Sequence, residues 1–75
     1  MITLHTEKLL ARVDSGIGWL TFNNPERRNA ISLEMWQGLG DALQAFAQDE
    51  SVRVVVLQGA GGKAFASGAD ITEFE

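Results

Sequence analysis

The residues best suited to do chemistry form a run of mostly small side chains at 63–71, with the sequence KAFASGADI. A β-branched segment, residues 52–57, and a glycine loop, residues 59–62, come before it. Asp70 then offers a typical capping residue for a helix. A strand, a small-residue loop and a helix N-terminus in this order can point backbone N–H groups at a ligand oxygen. The run therefore predicts a binding site built from backbone donors.

Two phosphate-binding motifs are alternatives for the same glycines. Residues 59–64 fit Gly-x-Gly-x-x-Ala. A dinucleotide fingerprint needs a helix directly at its glycines, however, and residues 65–68 intervene here. A P-loop needs glycine where Leu57 stands, and serine or threonine where Ala64 stands. Both alternatives are disfavoured, and a backbone-donor site stays the preferred hypothesis.

Two short strands are predicted near the N-terminus. Residues 9–13 place their odd-numbered side chains, all apolar, on one face. Residues 14–16 have turn chemistry, since glycine can adopt positive φ. Residues 17–22 form the returning strand, with odd-numbered and even-numbered side chains on opposite faces. The three-residue connection predicts an antiparallel hairpin.

A helix is predicted after a break at residues 23–29, where Pro25 removes a backbone donor. Ser32 is a suitable N-cap residue. Gly38 and Gly40 each cost such a helix up to about 1 kcal/mol relative to alanine, so packing must stabilise it. The helix is expected to pack on a sheet through an apolar stripe made of Met35, Leu39, Ala42, Leu43 and Phe46.

The segment 52–57 is almost continuously apolar and β-branched, which is typical of a strand buried on both faces of a parallel sheet. The predicted order is therefore β-β-α-β-loop-α, an α/β arrangement in which residues 1–75 are one part of a single domain. Seventy-five residues is below the usual domain size of roughly 100–200. We therefore expect this sequence to belong to a longer chain.

The composition argues against several classes of function. Ten acidic and six basic residues give a net charge of −4, which disfavours a nucleic-acid partner. With no cysteine and one histidine, His5, no metal site is expected. The N-terminal residues lack the pattern of a signal peptide, and no apolar run approaches the ~20 residues of a membrane span. A cytoplasmic protein without membrane contact is expected.

Three segments resemble the enoyl-CoA hydratase/isomerase (crotonase) family, in the right order and at family-like spacing. Residues 23–31, NNPERRNAI, resemble the family's Asn-x-Pro…Asn-Ala-Leu/Met segment. Residues 52–59, VRVVVLQG, resemble the strand before its oxyanion loop, and residues 65–71, FASGADI, resemble the loop itself. The resemblance implies a crotonase-like (ClpP/crotonase) β-β-α superhelix, of which these residues are the N-terminal portion.

The resemblance also implies acyl-CoA chemistry through an oxyanion hole, as in fatty acid metabolism. In the family one backbone donor follows the glycine of the loop. Here that donor is the N–H of Ala69, which would stabilise a thioester enolate. Coenzyme A would enter as part of the substrate, and no tightly bound cofactor is expected. The alternative for Ala69 and Asp70 is a plain loop and helix cap. The residues implied to contact CoA are Arg28, Ala30, Ile31, Ala66, Ser67, Gly68, Ala69, Asp70 and Ile71.

Two parts of the family's active site have no counterpart in these 75 residues. The second oxyanion donor lies in a later glycine-rich segment of the family, and the catalytic glutamates follow it. Glu73 and Glu75 lie in a helix start and do not replace them. The sequence thus favours the N-terminal portion of an enzyme, with a truncated, non-catalytic CoA-binding or assembly module as the alternative. Family members are commonly trimers or dimers of trimers, so a homo-oligomer, trimer or hexamer, is expected.

Overall fold

The computed structural model describes residues 4–62, 64–66 and 68. Within them a three-stranded sheet in the order β1-β2-β3 packs on one helix. β2 pairs antiparallel with β1 and parallel with β3. The predicted order β-β-α-β is confirmed, and the helix start predicted at Asp70 lies outside the described residues. The elements are β1 Leu9–Asp14, β2 Ile17–Phe22, a 3₁₀ turn Pro25–Arg27, α1 Leu33–Gln48 and β3 Val54–Gly59.

The hairpin has a shorter connection than the sequence predicted. β1 continues to Asp14, which pairs with Ile17, so only Ser15 and Gly16 lie in the turn. Both turn residues have positive φ, 54° and 80°. Two-residue turns of this kind match the right-handed twist of the strands they join. The pairing of β1 and β2 therefore extends to Asp14 and Ile17, which flank the turn.

Helix α1 begins where the sequence predicted. The Ser32 hydroxyl accepts a hydrogen bond from the Met35 N–H at 3.3 Å, which satisfies one of the free donors at the helix start. The predicted stripe is confirmed except at Leu43, whose exposed fraction is 42%. At about 100° per residue, Leu43 lies roughly 80° around the helix from Met35, at the margin of the buried face. The buried helix positions are Met35, Gly38, Ala42 and Phe46.

The core lies between α1 and one face of the sheet. The even-numbered residues of β2, which the sequence predicted to share one face, point into this core. Gly18 lies beneath the ring of Phe46, and a Cβ at that position would stand 2.9 Å from the ring carbons. The close approach of α1 to β2 therefore depends on glycine there. The buried apolar residues of this core are Leu9, Ala11, Leu20, Phe22, Ile31, Met35, Ala42 and Phe46.

The prediction that the third strand is buried on both faces is wrong for the described part of the chain. β3 starts at Val54 and is an edge strand. Val54, Val55 and Leu57 are 56%, 37% and 40% exposed. Its parallel pairing with β2 is nonetheless confirmed. The apolar composition of this strand predicted that other elements pack on both of its faces. The described residues bury its side chains only in part.

The membrane prediction concerned long apolar segments. Across residues 4–62, 64–66 and 68, no helix combines the length and apolarity needed to cross a membrane. The longest helix of that part, α1, has 16 residues, and half-exposed or exposed side chains occupy most of its length.

Candidate functional site

The candidate site forms where the segment after β2 meets the loop after β3, and a buried asparagine joins them. The side chain of Asn29 has no exposed surface. Its Nδ2 donates to the backbone carbonyls of Ala64 at 2.7 Å and Ala60 at 3.1 Å. Its Oδ1 accepts from the backbone N–H of Asn24 at 2.9 Å. Both amide hydrogens and the amide oxygen are therefore satisfied, as a buried amide requires.

The turn that presents Asn29 follows from local chemistry. Pro25 opens the 3₁₀ turn, where its fixed φ fits and its missing N–H costs nothing. Arg28 and Asn29 then both adopt left-handed conformations, with φ of 53° and 59°. Asparagine tolerates this region better than most residues. The Asn29 N–H donates to the Asn24 carbonyl at 2.8 Å, and Asn24 Nδ2 donates to the Ala30 carbonyl at 3.0 Å.

The loop after β3 folds back tightly because Gly59, at the end of β3, and Gly61, in the loop, carry no side chain. A Cβ at Gly59 would collide with the Ala64 carbonyl and would stand 2.6 Å from the Phe65 carbonyl. It would also lie 2.8 Å from Asn29 Nδ2. Gly61 has a φ of 88°, and a Cβ there would stand 2.9 Å from a ring carbon of Pro25. The loop and the turn are thus fitted to each other at backbone distance.

Two further contacts hold the far end of the loop. The Phe65 ring lies edge-on against Phe22, with centroids 5.2 Å apart and a 67° angle between the rings. The Ile31 N–H donates to the Gly68 carbonyl at 2.8 Å. The loop is therefore fixed at its start, middle and end by the strand β2 and the turn that follows it.

An open cleft of about 370 Å³ lies on this loop. None of the described residues that line it carries an ionisable side chain. The polar groups that these described residues offer to the cleft belong to the main chain, which fits a site of backbone donors. The described lining residues are Gly59, Gly62, Ala64 and Phe65.

Two carboxylates of the described residues have a lowered pKa, and both lie outside the described cleft lining. A hydrogen bond from Thr6, followed by one from Lys8, lowers the pKa of Glu34. Hydrogen bonds from the side chain and backbone of Ser51 lower the pKa of Asp49. Both residues are partly exposed, and each carboxylate is paired with residues near it. They are surface interactions of the scaffold and supply no acid or base to the cleft.

The described members of the predicted site lie on the turn after β2 and on the loop after β3, and the Ile31–Gly68 hydrogen bond joins these two segments. Arg28 is exposed on the turn, and Ala30 and Ala66 are half-buried. Ile31 has a buried side chain in the core and contributes its backbone N–H to the loop. Gly68 is exposed, has a φ of 116° and supplies the accepting carbonyl. The predicted site residues that lie outside the described part of the chain are Ser67, Ala69, Asp70 and Ile71.

The sequence predictions gave Asn29 and Gly59 no role of their own. Asn29 lies in the family-like segment 23–31, and Gly59 lies in the family-like segment 52–59. A signal for Asn29 existed in the segment NNPERRN, because asparagines around a proline favour side-chain-to-backbone bonds in turns. No local pattern shows that such a side chain would bond to residues 31 and 35 positions later. That contact depends on the parallel pairing of β2 and β3.

The chain belongs to the enoyl-CoA hydratase/isomerase family, whose family model matches residues 12–75. It is 41% identical over 69 residues to a probable enoyl-CoA hydratase from Rhizobium meliloti, covering 92% of this chain and 26% of the relative. It is 40% identical over 73 residues to the mitochondrial 3-hydroxyisobutyryl-CoA hydrolase of Mus musculus, covering 93% of this chain and 19% of the relative. It therefore spans about a quarter or less of these relatives.

The fold agrees with that family. A carnitinyl-CoA dehydratase from Mycobacterium avium has a similar structure, with a TM-score of 0.83 and 42% sequence identity. The match covers 89% of this chain and 26% of that one. The three-stranded sheet with its helix is an α/β unit that matches part of a crotonase fold, as the sequence resemblance implied. The likeness places the turn and the loop described above within that fold.

Proposed function

We propose that this chain forms part of an acyl-CoA site in an enoyl-CoA hydratase/isomerase-like enzyme. Residues 1–75 would be the N-terminal part of one crotonase-like domain. The backbone N–H of Ala69 would donate to the thioester oxygen of the substrate. That oxygen gathers negative charge when the α-carbon is deprotonated or the conjugated double bond is attacked, and a preorganised donor stabilises the resulting enolate.

The observation that carries this proposal is the hydrogen bond from the Ile31 N–H to the Gly68 carbonyl, 2.8 Å long. The Gly68 carbonyl and the N–H of residue 69 belong to one peptide group, which is planar. Fixing the carbonyl therefore restricts the directions open to the proposed donor. A donor that is already oriented before the reaction needs no reorganisation free energy as charge develops on the oxygen.

The small residues around this peptide group support the proposal. Ala64, Ala66 and Gly68 leave room for a thioester to approach the main chain, as backbone donation requires. The exposed side chain of Arg28 stands on the neighbouring turn, where its guanidinium could bind a CoA phosphate. Ala30, Ile31, Ser67, Asp70 and Ile71 complete the proposed CoA contacts.

The proposal concerns the activation of the thioester, which the reactions of this family share. The relatives named above include a hydratase and a hydrolase, both named for acting on CoA esters. The second oxyanion donor and the acid or base groups would come from residues other than these 75. The protein would then assemble as a trimer or hexamer in the cytoplasm.

A non-catalytic assembly module is the second candidate, and the exposed apolar side chains of β3 favour it. In that case the turn and the loop would only support the fold. The peptide group that joins Gly68 and Ala69 would bind no ligand. The two candidates differ in whether the loop responds to a thioester.

Nuclear magnetic resonance of the ¹⁵N-labelled chain distinguishes them. We expect crotonyl-CoA to shift the backbone amide signals of Ala66, Gly68 and Ile31. Free CoA should shift signals near Arg28 and affect Gly68 less, since it lacks the thioester carbonyl. If millimolar crotonyl-CoA leaves the signals of residues 64–68 unchanged in the folded chain, the acyl-CoA site is wrong and the assembly module is favoured.

A further inference from the structure

The side chain of Asn29 bonds to both the beginning and the middle of the loop after β3. Its Nδ2 reaches the carbonyls of Ala60 and Ala64, while the Asn24 N–H occupies its Oδ1. We propose that Asn29 is a positioning residue, which sets the loop conformation needed for thioester binding. The catalytic meaning of this role depends on the function proposed above, whereas the anchoring itself does not.

The orientation of the amide is fixed by its partners. The Asn24 N–H is a donor, so the oxygen of Asn29 must face it, and both hydrogens of Nδ2 must face the loop. Each bonded carbonyl then turns toward the asparagine. Because each peptide group is planar and trans, the N–H on its other side turns away from the asparagine. One buried side chain thereby biases the direction of backbone donors along the loop.

Other residue types fit this position poorly. Aspartate has a similar shape, but its carboxylate would face two carbonyl oxygens and donate to neither. Alanine would lose all three side-chain bonds and would adopt a left-handed φ of 59° at a cost. Glycine would accept that φ and remove only the side chain. Asn29→Gly is therefore the variant that isolates the side-chain contacts from backbone strain.

The first test uses the unmodified chain. The protons of a buried side-chain amide exchange slowly with water when each of them donates a hydrogen bond. The protons of an exposed side-chain amide exchange freely. We expect the two Nδ2 protons of Asn29 to exchange at least about tenfold more slowly than those of exposed Gln44 or Gln48. Equal exchange rates would overturn the proposal without any variant.

The second test compares Asn29→Gly with Thr6→Val. Thr6 is also buried, and its hydroxyl accepts from the Lys8 N–H at 3.1 Å and donates to the Glu34 carboxylate, so the control loses polar contacts without touching the loop. We expect Asn29→Gly to speed exchange of the Ile31 amide, which bonds to Gly68, at least about tenfold relative to amides in the middle of α1. Thr6→Val should change this ratio by less than about threefold.

The third test measures turnover in a full-length family protein that carries residues 1–75 of this chain. Asn29→Gly should lower kcat for an enoyl-CoA about 10- to 100-fold and change KM less, because misplaced donors weaken the transition state most. Equal kinetic effects of Asn29→Gly and Thr6→Val would contradict a positioning role. Protected Asn29 protons together with no acyl-CoA response would instead contradict the proposed function and leave the anchoring intact.

Discussion

Gly59 shows at the scale of one residue how the site depends on close backbone contact. A Cβ there would meet the carbonyls of Ala64 and Phe65 and the Asn29 amide at once. We expect Gly59→Ala to lower the free energy of unfolding by about 1–3 kcal/mol, because backbone groups cannot move aside as a flexible side chain can. Urea unfolding followed by tryptophan fluorescence measures the change.

Gly62 provides the control for this prediction. Unlike Gly59, it has a positive φ, 72°, and a Cβ there would meet nothing within 4 Å. Gly62→Ala should therefore cost only the backbone strain, about 1 kcal/mol. If the two variants unfold at the same urea concentration, the loop does not lie against Asn29 as described.

The helix offers a prediction at the scale of an element. Gly40 lies on the exposed face of α1, and a Cβ there would meet no atom within 4 Å. Gly40→Ala should raise the free energy of unfolding by up to about 1 kcal/mol, since alanine loses less backbone entropy in a helix. The urea midpoint should rise while the slope of the transition stays unchanged.

Gly18→Ala is the opposing variant for the packing of the same helix. Its Cβ would stand 2.9 Å from the Phe46 ring, so α1 would be pushed off β2 and the midpoint should fall. A fall for Gly40→Ala, or a rise for Gly18→Ala, would contradict the described position of α1 on the sheet.

The elements also show what the sequence could predict. The hairpin, the Ser32 cap and the parallel β3 follow from patterns that neighbouring residues carry, and all three are confirmed. The burial of β3 and Leu43 depends on what lies against them, which no local pattern states. For the site, the loop was predicted from small residues, whereas the anchoring by Asn29 required knowing that the two segments meet.

At the scale of the whole molecule, the exposed β3 predicts self-association of this 75-residue chain. Apolar side chains on an unpaired edge favour pairing with another strand. We expect light scattering at micromolar concentration to give a mass above that of a monomer. Val54→Lys should shift the mass toward the monomer, because a charged edge residue opposes strand pairing.

Leu43→Lys is the matched control for association through the strand. Leu43 is exposed to a similar degree but lies on α1, away from the edge of β3. It should leave the mass unchanged. A monomer mass for the unmodified chain, or an equal effect of the two lysine variants, would exclude association through β3.

The most direct test of the acyl-CoA site compares two substitutions at Ala69 in a full-length family protein carrying residues 1–75. Ala69→Pro removes the proposed N–H donor, and Ala69→Gly keeps it. Loss of one oxyanion donor costs roughly 10²–10³ in rate, so Ala69→Pro should lose at least about 10² in kcat. Ala69→Gly should lose less than about tenfold in kcat. In Ala69→Pro, CoA affinity should fall less than turnover, because an oxyanion contact strengthens mainly in the transition state. Near-parental kcat with a raised KM for Ala69→Pro would contradict the oxyanion role and leave residue 69 as part of the CoA channel wall.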